Sequence, residues 1–202
     1  DIIHADETTL QILHEPGRPA TSTSYMWLYR TGREGPPIIL FDYQTTRASK
    51  HPERFLKGFK GYRCTDGYDG YKELPEIISV CCLVHARRKF DEALKALPKI
   101  DKDKPCIAQE GLDYCNRLFK IEKELHDVTP EERYKGRLEK SKPLLDEFYK
   151  WLKSKRPTLT PKSATGQAVQ YCLNLWDKLT NFLLDGRLYI DNNISERSIK
   201  AF

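Results

Sequence analysis

The stretch Ile2-Ile3-His4-Ala5-Asp6-Glu7-Thr8-Thr9-Leu10 is rich in β-branched and apolar residues, yet it carries two acids in its middle. β-branched residues favour strands, and successive side chains of a strand point to opposite faces. Asp6 therefore shares one face with His4, whereas Glu7 shares the other face with Ala5. Only one of the two acids can face a given site. An edge strand with both acids in water is the alternative, because acids are mostly exposed in proteins.

Four further strands are predicted from aromatic and β-branched runs that are bounded by turn residues. They are Ser24–Arg30, Ile38–Tyr43, Gly61–Asp66 and Ile77–Val84. The run Ile38–Tyr43 is apolar enough to be covered on both faces. A short helix is expected to start at Pro52 and to end at Gly58, and a basic helix is expected to start at His85.

From about Lys102 to Pro161 the sequence is charged, and its leucines recur at helical spacing. Ser163–Leu184 then predicts one long helix that stops at Gly186. The order of these elements is that of the ribonuclease H-like fold, an α/β class with a mixed sheet flanked by helices. We therefore expect three parts, with an all-helical insertion before the final helices. They are a core over residues 1–101, the insertion over 102–161, and C-terminal helices over 162–202 that complete the core.

Composition limits the kind of protein that this chain can be. Its 202 residues are 39% hydrophobic and 31% charged and contain no long apolar run, so the sequence predicts a soluble domain without a membrane span. A net charge of +5 suits a polyanionic partner. No secretory signal is visible, so the six cysteines are expected to be reduced thiols in the cytoplasm. A zinc site at Cys81-Cys82-x-x-His85 would need a second ligand pair, which the spacing does not offer.

Two further acids stand out from the 29 in the chain. Asp66 ends a predicted strand and precedes a loop, a position where open α/β sheets place their sites, whereas Asp69 lies among turn residues. Glu196 lies in the final predicted helix. Its alternative role is structural, because Asn193 could cap that helix with Glu196 as the returning carboxylate of a capping box.

Four segments carry a family resemblance. They are Asp6-Glu7-Thr8, Thr65-Asp66-Gly67-Tyr68, His85-Ala86-Arg87-Arg88-Lys89-Phe90 and Asp191-Asn192-Asn193-Ile194-Ser195-Glu196-Arg197. With them the chain resembles, over essentially its whole length, the bacterial insertion-sequence transposases of family sixty-six, a DDE-type family. The resemblance implies that Asp6, Asp66 and Glu196 are the catalytic acids and metal ligands. It also implies a catalytic domain that lacks flanking regions, and Ala201 departs from the family pattern, where proline is expected.

The resemblance implies a metal-dependent reaction, and the charges of the three acids agree with it. Converging carboxylates repel one another unless cations lie between them. Mg²⁺ prefers oxygen ligands, and two such ions can activate the attacking oxygen and stabilise the leaving oxygen at a phosphate. Asp6 would bridge both ions, while Asp66 and Glu196 would each hold one, with Mn²⁺ able to substitute. The expected function is cleavage of a 3′ end by water and strand transfer into target DNA.

The implied partner is double-stranded DNA, both element ends and target, bound by a homo-oligomer at the bacterial nucleoid. The cationic residues expected to contact phosphates are Arg87, Arg88, Lys89, Arg197 and Lys200. A solvated helix face is the alternative for each of them. His85 is either a neighbour of the active site or a cap of its helix. The competing functions are another ribonuclease H-like nuclease or resolvase, and a non-catalytic DNA-binding or assembly module.

Overall fold

Strand β1 (Ile2–Gln11) is the middle strand of a five-stranded sheet in the computed structural model, which describes residues 1–97 and 106–200. The strand order is β3-β2-β1-β4-β5. The remaining strands are β2 Thr23–Thr31, β3 Ile39–Gln44, β4 Gly61–Thr65 and β5 Ile77–Cys81. β1 pairs antiparallel with β2 and parallel with β4. This mixed sheet flanked by helices confirms the expected α/β class and is compatible with a ribonuclease H-like domain.

Eight α-helices lie within the described residues. They are α1 Lys50–Phe55, α2 Leu83–Lys95, α3 Ile107–Glu124, α4 Pro130–Gly136, α5 Lys142–Lys155, α6 Ala164–Asn174, α7 Trp176–Thr180 and α8 Asn193–Ile199. A π-helical turn, Arg137–Ser141, joins α4 to α5, and short 3-10 turns follow α5 and α7. Across the described ranges, none of these helices is both long and apolar enough to cross a bilayer. The six cysteines are free thiols, as expected.

Contacts within the chain divide it into two units. The first contains residues 1–80 together with the chain from residue 192, and the second contains residues 81–191. Helices α1 and α8 therefore belong with the sheet, whereas α2 to α7 form the second unit. The three-part division at residues 101 and 161 stays a prediction, and its first boundary, like Ala201, lies outside the described residues.

One face of the sheet in the first unit carries its core. Ala5, Trp27 and Tyr29 are at most 1% exposed and pack with Leu56 and Tyr71. The Trp27 ring meets the Tyr71 ring edge to face at 5.6 Å between centroids. Helix α1 and the loop after β4 thus cover this face. Because Glu7 alternates in phase with Ala5, its side chain lies on this core face.

The opposite face of the sheet is covered by α8, which contacts both β1 and β2. Arg30 of β2 donates from Nη1 to the Ser198 hydroxyl at 2.7 Å. Leu28, the register partner of Asp6, is fully buried. Asp6 therefore lies on the face that α8 covers, and Asp6 and Glu7 face opposite ways, as the strand period predicts.

Two buried arginines organise the second unit. The guanidinium of Arg133 donates to four backbone carbonyls, including those of Leu125 and Gly186. Arg137 makes a two-bond pair with Glu122 and also donates to backbone carbonyls, among them that of Leu188. These bonds satisfy charges that would otherwise be costly to bury, and they fasten the segment before Asp191 to the helices.

Strand β3 differs from its prediction. Its residues Ile39, Leu40 and Phe41 are between 37% and 49% exposed, so the strand is not covered on both faces. The reason is its place at the edge of the sheet, which an apolar run does not reveal.

The helices also differ from three predictions. Helix α2 begins at Leu83 rather than at His85. Ser163 caps α6, but α6 ends at Asn174 because Leu175 leaves the helical region, with φ −108° and ψ 13°. The apolar pattern continues across this break because α7 and the following turn bury Leu179 and Phe182. The expected single helix is therefore two helices and a 3-10 turn. Helix α1 begins at Lys50 rather than at Pro52, which lies in its first turn, where proline is tolerated.

Candidate active site

Asp6 and Asp66 lie where two parallel strands part. The pairing of β1 with β4 runs from Ile2 opposite Tyr62 to His4 opposite Cys64. Asp6 and Asp66 each follow the last pair by two residues, so a continuation of this register would bring them level. The pairing stops before the acids because β4 ends at Thr65. Asp6 in β1 and Asp66 just after β4 thus border the gap between the two strands.

The turn after β4 holds the Asp66 side chain in place. Its Oδ1 accepts a hydrogen bond from the backbone N–H of Tyr68 at 2.8 Å, as in an Asx turn. Gly67 between them has a φ of +90°, a conformation that glycine adopts without strain. Asp69 is exposed on this loop, in keeping with the turn role predicted for it.

Glu196 is supplied by α8. Within this helix, whose residues are all described, the N-cap is Asn192 and makes no side-chain capping hydrogen bond. The capping box expected as an alternative, with Asn193 as the cap, is therefore not formed, because Asn193 is already the first helical residue. Glu196 lies in the first turn of α8 and is partly buried.

The charges of the other acids act on Asp6. Its pKa is raised to about 7, mainly by burial, next by the charge of Glu7, and also by the charges of Asp66 and Glu196. The backbone N–H of Glu7 donates to Asp6 Oδ1 at 2.9 Å and lowers the pKa in part. The structure therefore gathers the predicted acids of strand, turn and helix into one unit, where the charges of Asp66 and Glu196 both act on Asp6.

Glu7 belongs to a second cluster that the sequence did not reveal. Its side chain is only 2% exposed and pairs with Arg47 from the loop after β3. Arg47 Nε donates to Glu7 Oε1 at 2.8 Å, and the Tyr71 hydroxyl donates to Oε2 at 2.6 Å. Burial raises the pKa of Glu7, while these two partners lower it. The sequence feature that could have revealed this cluster is the position of Glu7 on the core face of β1, because a buried carboxylate needs partners.

The same cluster reaches the loop that carries Asp66. The Arg47 guanidinium lies 3.6 Å above the centre of the Tyr68 ring. The Tyr68 hydroxyl donates to the Arg47 carbonyl at 3.0 Å. These contacts tie the β3–α1 loop, and with it the partner of Glu7, to the turn after Asp66.

The predicted cationic residues lie in both units. Arg197 and Lys200 are exposed on and just after α8. His85, Arg87, Arg88 and Lys89 lie in α2 of the second unit. Arg87 Nε donates to Asn116 at 2.7 Å, Arg88 is 3.2 Å from His85 Nδ1, and Lys89 lies 4.9 Å from the centre of the Tyr171 ring. Each of these α2 residues thus has a contact inside its own unit.

Comparison with known proteins finds a family and individual proteins whose sequences are similar to this chain. The family profile described as "Transposase IS66 family" matches residues 1–202. The uncharacterized protein y4hP of Sinorhizobium fredii is 32% identical over 98% of this chain and 39% of its own length. The uncharacterized protein y4qI of that bacterium is 30% identical over 98% of this chain and 38% of its own length. The chain thus spans about two fifths of these relatives. No solved structure matches it.

Proposed function

Because the chain belongs to the transposase IS66 family, we propose that it is a DDE-type catalytic domain that carries out metal-dependent phosphoryl transfer on DNA. The observation that carries this proposal is that Asp6, Asp66 and Glu196 lie in one folded unit, where the charges of Asp66 and Glu196 add to the rise that burial and Glu7 produce in the pKa of Asp6. Acids whose charges act on one another in a buried place are costly in a purely structural role. They are useful where a cation is to be bound.

The donor set fits a hard divalent cation. Carboxylate oxygens are the ligands that Mg²⁺ prefers, and Asp6, Asp66 and Glu196 would hold two Mg²⁺ or Mn²⁺ ions. Such ions, when bound, activate an attacking oxygen and stabilise the leaving oxygen at a phosphate. Bound cations would also offset the repulsion that raises the pKa of Asp6.

The protein's own contribution is positioning. The Tyr68 N–H holds one carboxylate oxygen of Asp66, and the Glu7 N–H holds one of Asp6, so both carboxyl groups are oriented before a ligand arrives. This preorganisation lowers the cost of assembling the site. No side chain of the protein needs to form a covalent bond to DNA, because water and then a 3′ hydroxyl are the attacking groups.

The exposed cations of α8, Arg197 and Lys200, would contact phosphates of the DNA backbone, as would Arg87, Arg88 and Lys89 of α2. Phosphate contacts position the duplex without reading its sequence. Element ends and target DNA are therefore the proposed partners. Recognition of the ends, and assembly into a homo-oligomer at the nucleoid, are proposed to be properties of the full-length protein. His85, beside Arg88 in α2, is proposed as a neighbour of the site.

A strand-transfer assay separates this proposal from its nearest alternative, a ribonuclease H-like nuclease or resolvase that only hydrolyses. The full-length protein is incubated with labelled element ends, a target plasmid and Mg²⁺. We expect nicked ends first and then joined products, both absent in Asp6→Ala and present in Asp69→Ala. Nicking without joining would favour the hydrolytic alternative. Binding without either product would favour a non-catalytic assembly module.

A further inference from the structure

A buried polar cluster joins β1 to the start of α8. His4 and Asn192 are each 1% exposed, and His4 Nδ1 lies 2.7 Å from Asn192 Oδ1. Asn192 Nδ2 donates to the carbonyl of Ala5 at 3.0 Å. The Ser195 hydroxyl, fully buried, donates to the same Asn192 Oδ1 at 2.7 Å. The amide of one residue thus contacts two consecutive residues of β1 and the first turn of α8.

These contacts fix the orientation of the Asn192 amide. Its NH₂ group faces the Ala5 carbonyl, so its oxygen faces His4 and Ser195. Since that oxygen can only accept, His4 Nδ1 carries the proton of this bond. A flipped amide would bring its NH₂ group against the Ser195 hydroxyl and its oxygen against the Ala5 carbonyl, and the second of these pairs cannot form a hydrogen bond. The cluster therefore has a single arrangement.

Both ends of the cluster lie next to a proposed metal ligand. Ala5 directly precedes Asp6, and His4 shares a strand face with it. Asn192 and Glu196 are four residues apart, and the backbone N–H of Glu196 donates to the Asn192 carbonyl at 3.3 Å. A shift of Asn192 against β1 would therefore carry Glu196 with it relative to Asp6.

We propose that Asn192 and His4 are positioning residues that set the spacing between Asp6 and Glu196. The inference rests on the proposed function, because the spacing matters only if the two carboxylates hold a cation together. Residues that orient metal ligands without touching the metal change affinity about 10- to 100-fold when they are replaced. On this proposal, α8 both packs on the sheet and positions a metal ligand.

The test is the affinity of the full-length protein for Mn²⁺, followed by the electron paramagnetic resonance signal of the free ion. The binding counted is the part that Asp6→Ala removes. We expect Asn192→Ala to weaken this binding about 10- to 100-fold. Ser195→Ala removes only one hydroxyl from the cluster, so it should fold even if Asn192→Ala does not, and it should weaken binding in the same direction by a smaller factor.

Ser198→Ala is the matched control. Ser198 lies one turn further along α8 and bonds to Arg30 and to the Ile194 carbonyl instead of to Asn192. Ser198→Ala removes these two hydrogen bonds, and Ser195→Ala removes the one to Asn192. We therefore expect both variants to lower the melting temperature, whereas Ser198→Ala should keep the Mn²⁺ affinity of the wild type.

Three other outcomes are possible, and each would overturn a different claim. Equal Mn²⁺ affinity in wild type, Asn192→Ala and Ser195→Ala would overturn the positioning role alone. If Ser198→Ala lowers the Mn²⁺ affinity as much as Ser195→Ala does, the cluster acts only through the general stability of α8. No Asp6-dependent Mn²⁺ binding in the wild type would overturn the proposed metal site, and the positioning role with it.

Discussion

At the scale of single residues, the neighbouring acids in β1 lie in different surroundings because a strand alternates its faces. Asp6 lies towards α8 among other acids, and Glu7 lies towards the core, where Arg47 and Tyr71 bind it. The alternation could be predicted from Ile2–Leu10 alone. The partners of Glu7 could not, because Arg47 lies 40 residues away in a loop.

The raised pKa of Asp6 predicts a stability that depends on pH. In the folded protein its pKa is about 7, against 3.8 for the unperturbed group, so the folded state binds this proton more tightly than the unfolded state. Stability is therefore highest below the unfolded pKa and falls as pH rises towards the folded pKa. In the metal-free protein we expect Asp6→Asn to raise the melting temperature at about pH 8 and to change it little at about pH 4.

The measurement is thermal unfolding of both proteins in a chelator at each pH. Equal melting temperatures at high pH would show that Asp6 carries no unfavourable charge, and the electrostatic account of the site would then be wrong.

Replacement of Glu7 should act on stability and not on chemistry. Glu7→Ala leaves the buried Tyr71 hydroxyl and the Arg47 guanidinium without this acceptor, which costs about 1–3 kcal/mol. Urea unfolding should show this loss, while cleavage is retained at temperatures where the variant is folded. A folded Glu7→Ala protein with no cleavage would instead place Glu7 in the active site.

At the scale of elements, the sequence predicts the order of strands and helices, since that order follows from hydrophobic period and turn residues. It does not predict register. The pairing of His4 with Cys64, whose continuation would bring Asp6 level with Asp66, depends on the whole sheet. The capping box was plausible from spacing, but α8 begins one residue earlier than that motif requires, because Asn192 is held by β1.

The turn after β4 offers a test at this scale. Gly67 and Gly17 both have positive φ, +90° and +75°, so alanine at either position should cost about 1–2 kcal/mol of stability. Only Gly67 connects Asp66 to the Tyr68 N–H that holds it. We therefore expect Gly67→Ala to lose cleavage beyond its loss of stability and Gly17→Ala to keep it. Equal cleavage by the two variants in the full-length protein would argue against a role for this turn in holding Asp66.

At the scale of the whole molecule, the first unit holds all three acids, and the proposed cationic contacts are shared between the two units. A net charge of +5 is modest, so DNA affinity should come from local phosphate contacts and should be sequence-indifferent and salt-sensitive. We expect Arg197→Ala and Lys200→Ala each to reduce the slope of log affinity against log salt by about one.

Lys142→Ala is the control for that slope, because Lys142 is paired with Asp146 at 2.9 Å and is not a proposed contact. Fluorescence anisotropy with unrelated duplexes over a range of salt gives the slopes. Tight, sequence-selective binding by residues 1–202 at physiological salt would contradict the proposal that these residues contact phosphates only, while recognition of the ends needs the full-length protein.

If Asp6, Asp66 and Glu196 form one metal site, each of them is needed for cleavage of a labelled element end by the full-length protein. Asp6→Ala, Asp66→Ala and Glu196→Ala should each abolish cleavage while keeping the fold, because removal of a charge relieves the repulsion among them. Asp69→Ala and Asp191→Ala, their near neighbours in sequence, should still cleave. If Glu196→Ala cleaves like the wild type and only melts earlier, Glu196 stabilises α8 and the site is not the one described.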